Sequence, residues 1–268
     1  MEETLNQEIK PDRYVLWTGG FDSTFRMIQI QKEHVGEPEV VQPVYVSGNG
    51  RKSEAIEIQR MEKMIPMLRE IGVNEILDLM IVEKDSIPAN EEISAAYNRI
   101  ASEIILGTQY EWLARLALEY PGIEVGIEQP NGEYGGCSKA IATMGSMEHR
   151  DNNYYVNKEK SSPDVSLVFG NFTFPIHVIT ETRMVELVHE WKCENIIENI
   201  WFCFVPINGE PCGYCRPCQQ KMECDMEWLI PDNGQKRYKL FKRAAKVVGT
   251  RNSYAVTGFL CRKMSLYR

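Results

Sequence analysis

Residues 14–30, Tyr-Val-Leu-Trp-Thr-Gly-Gly-Phe-Asp-Ser-Thr-Phe-Arg-Met-Ile-Gln-Ile, place an apolar run, a glycine pair and an amphipathic stretch in immediate succession. That order suits an anion. Gly19 and Gly20 allow a sharp turn that exposes backbone N–H groups, and the positive end of a following helix dipole points at whatever sits in the turn. The hydroxyls of Thr18 and Ser23 are positioned to bind phosphate oxygens, and Asp22 offers the carboxylate oxygen that a phosphate-bridging Mg²⁺ prefers. The competing reading is an ordinary strand-turn-helix corner in which Asp22 and Ser23 cap the helix.

A second constellation lies far along the chain. Eight cysteines stand at positions 137, 193, 203, 212, 215, 218, 224 and 261. Cys203, Cys212, Cys215 and Cys218 are spaced C-x8-C-x2-C-x2-C, with Gly213 beside the first short loop. Four thiolates so placed suit a tetrahedral Zn²⁺. An iron–sulfur cluster is the alternative, and Cys203 taken alone reads as a buried small hydrophobe. Cys224 is a spare thiol. Clustered cysteines in a reducing compartment favour a metal over disulfides.

The chain has 268 residues, 43% of them hydrophobic, enough for a large α/β domain with an appended module. It contains no apolar run long enough to span a bilayer, and its start lacks the basic and apolar regions of a signal peptide, so a cytoplasmic protein without membrane contact is expected. The net charge of −8 is unevenly spread. Residues 236–268 carry ten Lys or Arg and no acid, leaving 20 basic and 38 acidic side chains in residues 1–235. This basic segment either folds onto the protein's own acidic surface, forms a solvated helix around Arg237 to Val248, or contacts a nucleic acid, a phosphorylated ligand or an acidic partner.

Short Val- and Ile-rich runs at Tyr14–Trp17, Val40–Val46, Glu75–Val82 and Ile123–Ile127 alternate with helical patterns. The helices are expected at Ser23–His34, Lys52–Ile71, Glu91–Leu106, Tyr110–Tyr120 and Glu181–Trp191. This is the alternation of a parallel sheet with crossover helices. Phe172–Val178 reads as a further strand, Ile200–Phe204 as the run into the cysteines, and 128–162 as a long loop or lid at the sheet's edge. The expected fold is α/β, a Rossmann-like parallel sheet with flanking helices and a C-terminal zinc module. The expected divisions are 1–198 for the nucleotide-binding domain, 199–235 for the four-cysteine module and 236–268 for the basic segment.

G-x-G-x-x-G is absent, no acidic residue closes the second strand at Tyr45-Val46-Ser47-Gly48, and no Gly-x4-Gly-Lys-Ser/Thr occurs. These absences disfavour a dinucleotide fingerprint and a Walker loop. The turn then suits pyrophosphate, the leaving group when ATP is cleaved between its α and β phosphates. Thr18-Gly19-Gly20-Phe21-Asp22-Ser23-Thr24 resembles the SGGxDS loop of the PP-loop ATP pyrophosphatase superfamily, with threonine for the leading serine. Taken with the cysteine spacing, and with Phe174-Pro175-Ile176 through Thr182-Arg183-Met184-Val185-Glu186-Leu187, it is similar to the 7-cyano-7-deazaguanine synthase (QueC-like) family. The resemblance covers residues 13–225 loosely.

The resemblance implies an ATP-dependent ligase. A carboxylate, 7-carboxy-7-deazaguanine or a related base, is adenylated with release of pyrophosphate, ammonia displaces the adenylate to give an amide, and a second ATP converts that amide to the nitrile. It also implies Mg²⁺, structural Zn²⁺ on Cys203, Cys212, Cys215 and Cys218, and a homodimer. The residues expected around ATP and its pyrophosphate are Trp17, Thr18, Gly19, Gly20, Phe21, Asp22, Ser23, Thr24 and Val46, with Asp22, Ser23 and Arg51 in the catalytic role. The family's substrate motifs are altered here. G-Q-R-H corresponds to Gly48-Asn49-Gly50-Arg51-Lys52, P-x-R-N to Pro88-Ala89-Asn90, and Y-P-D-C-R to Tyr134-Gly135-Gly136-Cys137-Ser138. Arg51, Lys52 and Lys139 are the cations that would replace the lost charge. Two other functions stay open: a QueC-like enzyme of an antiviral or nucleic-acid-modification system acting on a nucleic acid or protein, and a zinc-stabilised nucleotide-binding protein without chemistry.

Overall fold

A computed structural model describes residues 10–50, 53–129 and 135–250. Arg51 and Lys52, expected near the site, and Tyr134 fall outside the described residues. The chain divides into two compact units, Met1–Thr180 and Glu181–Arg268.

In the first unit the elements follow in the order β1 (Arg13–Leu16), α1 (Phe21–Lys32), β2 (Val40–Ser47), α2 (Glu54–Glu70), β3 (Glu75–Ile76) and β4 (Met80–Glu83). Then come α3 (Glu91–Glu103), α4 (Gln109–Glu119), β5 (Ile123–Val125), α5 (Gly136–Met144), β6 (Met147–Arg150), β7 (Asn153–Val156), α6 (Pro163–Phe169) and β8 (Phe172–Thr173). The main sheet runs β3-β2-β1-β5-β8, with β4 continuing beside β2. Each of its strand pairings is parallel. The chain builds outward from β1 through β2 to β3 and β4, then crosses to the other side of β1 for β5 and β8, so the order reverses between β1 and β5.

Burial of alternating faces explains these elements. On α2, Met61, Met64, Ile65 and Leu68 recur at helical spacing and are all buried. On α4 the buried set is Leu113, Ala114, Leu116 and Ala117. They enclose strands in which consecutive side chains, Val15 and Leu16 on β1 and Val44, Tyr45 and Val46 on β2, are buried, the signature of a sheet covered on both faces. Charged groups on the sheet are tied to neighbouring elements. Glu124 on β5 accepts from Arg26 of α1 at 2.7 Å and also from Arg13 of β1, which fastens three elements at one point.

Three expectations need correction. Glu75–Val82 is two short strands with a break between Ile76 and Met80. The Val41 carbonyl accepts from Leu77 N on that side of β2, and Pro43, two residues on, has no N–H to offer the same side. Three residues of the neighbouring chain pass Gln42 and Pro43, a bulge-like slip, and the Gln42 amide covers the Asp78 carbonyl at 2.8 Å. Second, 128–162 is not a lid without structure. It holds helix α5 and the antiparallel β6-β7 hairpin, turned by Asp151 and Asn152 with φ of 50° and 57°, as a two-residue type I′ turn requires. Third, the strand at Phe172 ends at Thr173 and gives way to turns, with His177 N bonded to the Phe174 carbonyl; Pro175 has no N–H with which to continue a ladder.

The second unit contains α7 (Glu181–Glu190), α8 (Glu194–Ile197), α9 (Arg216–Glu223) and α10 (Asp232–Val248). Ile200–Phe204 approaches the cysteines without forming a strand. Glu181 and Lys221 form a buried ion pair, and Gln220 also donates to Glu181. Among the described residues no helix is long and apolar enough to cross a membrane.

Candidate functional site

A cavity of about 420 Å³ opens where β1, β2 and β5 end. This is the position, beyond the carboxyl ends of the strands and at the reversal of strand order, where open parallel sheets leave a crevice. Its wall includes Thr18, Gly20, Phe21, Asp22 and Ser23 from the first turn, Val46 and Asn49 after β2, Tyr110 and Leu113 of α4, and Gly126 and Ile127 after β5. The structure therefore brings Thr18, Gly20, Phe21, Asp22, Ser23 and Val46 onto one surface.

Trp17, Gly19 and Thr24 stand behind it. Trp17 is fully buried and its indole N–H donates to Thr24 Oγ1 at 2.9 Å, so this pair supports the turn from beneath. Gly19 has φ of 67°, a left-handed conformation that turns the chain back toward α1. Ser23 does not cap the helix. Its Oγ accepts from Thr18 N at 3.3 Å and lies 3.4 Å from Thr18 Oγ1, which closes the turn on itself. No side chain caps α1 at Gly20, and Asp22 sits in its first turn. The helix end thus faces the cavity, where its dipole favours negative charge.

Gly126 and Tyr110 are functional neighbours that the sequence reading missed. A Cβ on Gly126 would stand 3.1 Å from Ser23 N and 3.2 Å from Asp22 C, so β5 can approach the start of α1 only as glycine. A glycine directly after the Ile-Glu-Val strand was the available signal. Tyr110 is pushed far above the ordinary phenol range by burial, then by the Cys137 thiol and the Asp22 carboxylate. It remains a hydrogen-bond donor at neutral pH. Burial likewise drives the Cys137 thiol up, and the bond with Tyr110 offsets only part of this. Burial thus disfavours the thiolate, the nucleophilic form, at Cys137. The other altered motifs have structural duties: Asn90 caps α3 by accepting from Ile93 N at 3.0 Å, and the Asn49 amide donates to the Val46 carbonyl at 2.8 Å. Lys139 is exposed on α5.

In the second unit the four expected cysteines converge. The sulfurs of Cys203, Cys212, Cys215 and Cys218 are buried and lie within 4.8 Å of one another. Cys212 and Cys218 are 3.8 Å apart, and Cys203 and Cys215 are 3.9 Å apart. Four sulfurs at ~2.3 Å from one zinc ion define a tetrahedron with edges of about 3.8 Å, so the set fits one tetrahedral metal ion. A [4Fe–4S] cluster, with each thiolate on its own iron, or a [2Fe–2S] cluster, with two thiolates on each of two irons, needs wider spacing between its ligands.

Local turns bring them there. Ile207 and Glu210 exchange backbone hydrogen bonds across Asn208-Gly209, a tight hairpin that returns the chain from Cys203 to Cys212. Gly213 has φ of 83°, and a Cβ on it would lie 1.9 Å from the Gly234 carbonyl oxygen. The turn directs Tyr214 N and Cys215 N onto Cys212 Sγ at 3.4 and 3.2 Å, and Cys212 N onto Cys203 Sγ at 3.2 Å. Cys215 is the N-cap of α9 and Cys218 lies in its first turn, where the dipole favours thiolate. A divalent cation would take all four as thiolates.

Comparison with protein-family models and with curated proteins finds no match to this chain.

Proposed function

We propose that the chain is a PP-loop enzyme of the 7-cyano-7-deazaguanine synthase-like kind, with a Rossmann-like nucleotide-binding domain, that adenylates a carboxylate at the expense of ATP and passes it to ammonia. The observation that carries this reading is the cavity at the strand-order reversal. It is walled by Thr18, Gly20, Asp22 and Ser23 at the uncapped start of α1, without a Walker lysine.

The residues supply positioning and charge stabilisation. The α1 N-terminus and the Thr18 and Ser23 hydroxyls would hold the departing pyrophosphate, whose charge builds as the α–β bond breaks. Val46 and Ile127 give the apolar wall suited to a base. Asp22 is the carboxylate fitted to Mg²⁺, which when bound supplies further charge neutralisation on the phosphates. The carboxylate substrate is itself the nucleophile at the α-phosphorus, so alignment replaces a protein nucleophile. That agrees with the burial of Cys137, which disfavours its thiolate. The cysteine site, built wholly from protein thiolates, is closed and suits a structural zinc ion.

Incubation with ATP, Mg²⁺, ammonium and 7-carboxy-7-deazaguanine should release pyrophosphate and AMP in a substrate-dependent manner. AMP formation indifferent to that carboxylate would overturn the choice of substrate and favour a macromolecular acceptor. Asp22→Ala should abolish pyrophosphate release, and unchanged turnover would remove the first turn from the mechanism.

A further inference from the structure

We infer that helix α10 of the second unit is a nucleic-acid-binding surface that grips the phosphate backbone through Lys236, Lys239, Arg243 and Lys246. The inference is independent of the adenylation chemistry.

These four residues are exposed. At helical spacing they fall within an arc of about 80° and extend over about 15 Å of the helix. The only acidic residue of α10 is Asp232, at its start. Among the described residues the ion pair made by α10 belongs to Lys242, which reaches Glu223 at 2.7 Å, and Arg237 is engaged by backbone carbonyls, which leaves the remaining four of its six cations facing solvent as one stripe. A cationic row on a chain whose remainder is strongly acidic is concentrated by position, not by composition.

The stripe is also held in place. Arg237, on a different face of α10, donates to the Cys212 carbonyl at 2.8 Å and the Pro211 carbonyl at 3.2 Å. Phe241 is buried and Gly234 packs against the cysteine turn. The cysteine centre thus seats the helix, and a seated row of cations loses less side-chain and backbone freedom on binding than a loose basic tail.

A phosphate backbone fits this surface better than a lipid bilayer. An interfacial helix needs a continuous apolar face to bury in the acyl boundary. The inward face of α10 is already occupied through Phe241, and the exposed large apolar side chains of the helix, Leu240, Val247 and Val248 at 53%, 84% and 43% exposure, stand beside the cations as a short patch at its C-terminal half. The evenly stepped charges instead match a linear array of phosphates.

The test measures fluorescence anisotropy of the full chain with two labelled, mixed-sequence probes, a 20-nucleotide RNA strand and a 20-base-pair DNA duplex. At about 50 mM salt at least one should bind, with the logarithm of affinity falling against the logarithm of salt at a slope near −3 to −4 for four phosphate contacts. K236E/K239E/R243E/K246E should lose binding at least tenfold, with an unchanged circular dichroism spectrum. The milder K236Q/K239Q should reduce the slope by about 2. Binding of neither probe, a slope unmoved by K236Q/K239Q, equal competition by polyglutamate, or preferential capture by phosphatidylserine vesicles would each overturn the inference.

Discussion

The two units hold their candidate sites by different means. In Met1–Thr180 the first turn is an edge of a large packed core, and its geometry follows from strands, helices and buried polar clamps around it. In Glu181–Arg268 the cysteine turns are connected by irregular backbone, and the side chains that form the site are also the ones that close it. In the first unit chemistry is an outgrowth of packing. In the second, packing around the cysteines depends on the chemistry of four sulfurs, so one unit should tolerate loss of a site residue and the other should not.

The largest effect expected is on the second unit. Cys215→Ser should lower bound zinc from about one ion per chain to none, forfeiting a binding free energy that reaches about 10–16 kcal/mol in small zinc modules. Limited proteolysis should then cut within residues 181–250 and spare 10–180, and equal digestion of both would dissolve the contrast. Stoichiometric iron in place of zinc would change the metal assigned to the centre.

Glu124→Ala probes the strongest clamp of the first unit. Removing one partner of a buried ion pair costs roughly 3–5 kcal/mol, because Arg26, and Arg13 with it, lose their carboxylate. The pH dependence has a definite sign. Burial opposes the Glu124 charge, Arg26 and then Arg13 outweigh that opposition, and the carboxyl is held below its ordinary range. Its contribution is therefore complete above the unfolded value of about 4.3 and disappears as pH falls through the lower folded value. Urea titrations between pH 2 and 5 should show this acid-side loss in the native protein, and a flatter profile in Glu124→Gln.

Gly126→Ala addresses the close approach of β5 to α1. The added methyl meets backbone atoms, which cannot rotate away, so a loss of about 1–3 kcal/mol is expected. Pyrophosphate release should fall more than stability does, because the displaced atoms belong to Asp22 and Ser23. Equal stability and undiminished turnover would show that the first turn has more freedom than its surroundings suggest. The smallest effect on turnover should come from Trp17→Phe, which leaves the Thr24 hydroxyl without its indole donor and a cavity at a fully buried position, at a cost of roughly 1–3 kcal/mol, read as a shift in urea midpoint with ATP turnover retained.

The parts of the molecule legible in the sequence are those where local pattern and final environment agree. β1, β2, α1 and α2 combine apolar periodicity with turn residues at their ends, and the cysteine spacing already implied convergence. The split between β3 and β4 was hidden because its cause, Pro43, lies on the neighbouring strand. The β6-β7 hairpin was hidden because Met-Glu-His-Arg carries little apolar alternation, although Asp151-Asn152 is a turn signal. Gly126 and Tyr110 became recognisable only when the chain crossing brought β5 and α4 beside the first turn, since neither shares a local motif with it.

The hairpin between Cys203 and Cys212 has a consequence for the order of assembly. Cys212, Cys215 and Cys218 lie in one short stretch, so three sulfurs can meet around an ion after closing only small loops. Cys203 is then the latch, delivered when Asn208-Gly209 turns the chain back. Closure entropy therefore favours capture by the three nearby sulfurs before the distant ligand completes the set, and the carbonyls of Pro211 and Cys212 that receive Arg237 of α10 lie on the stretch of chain that the hairpin returns.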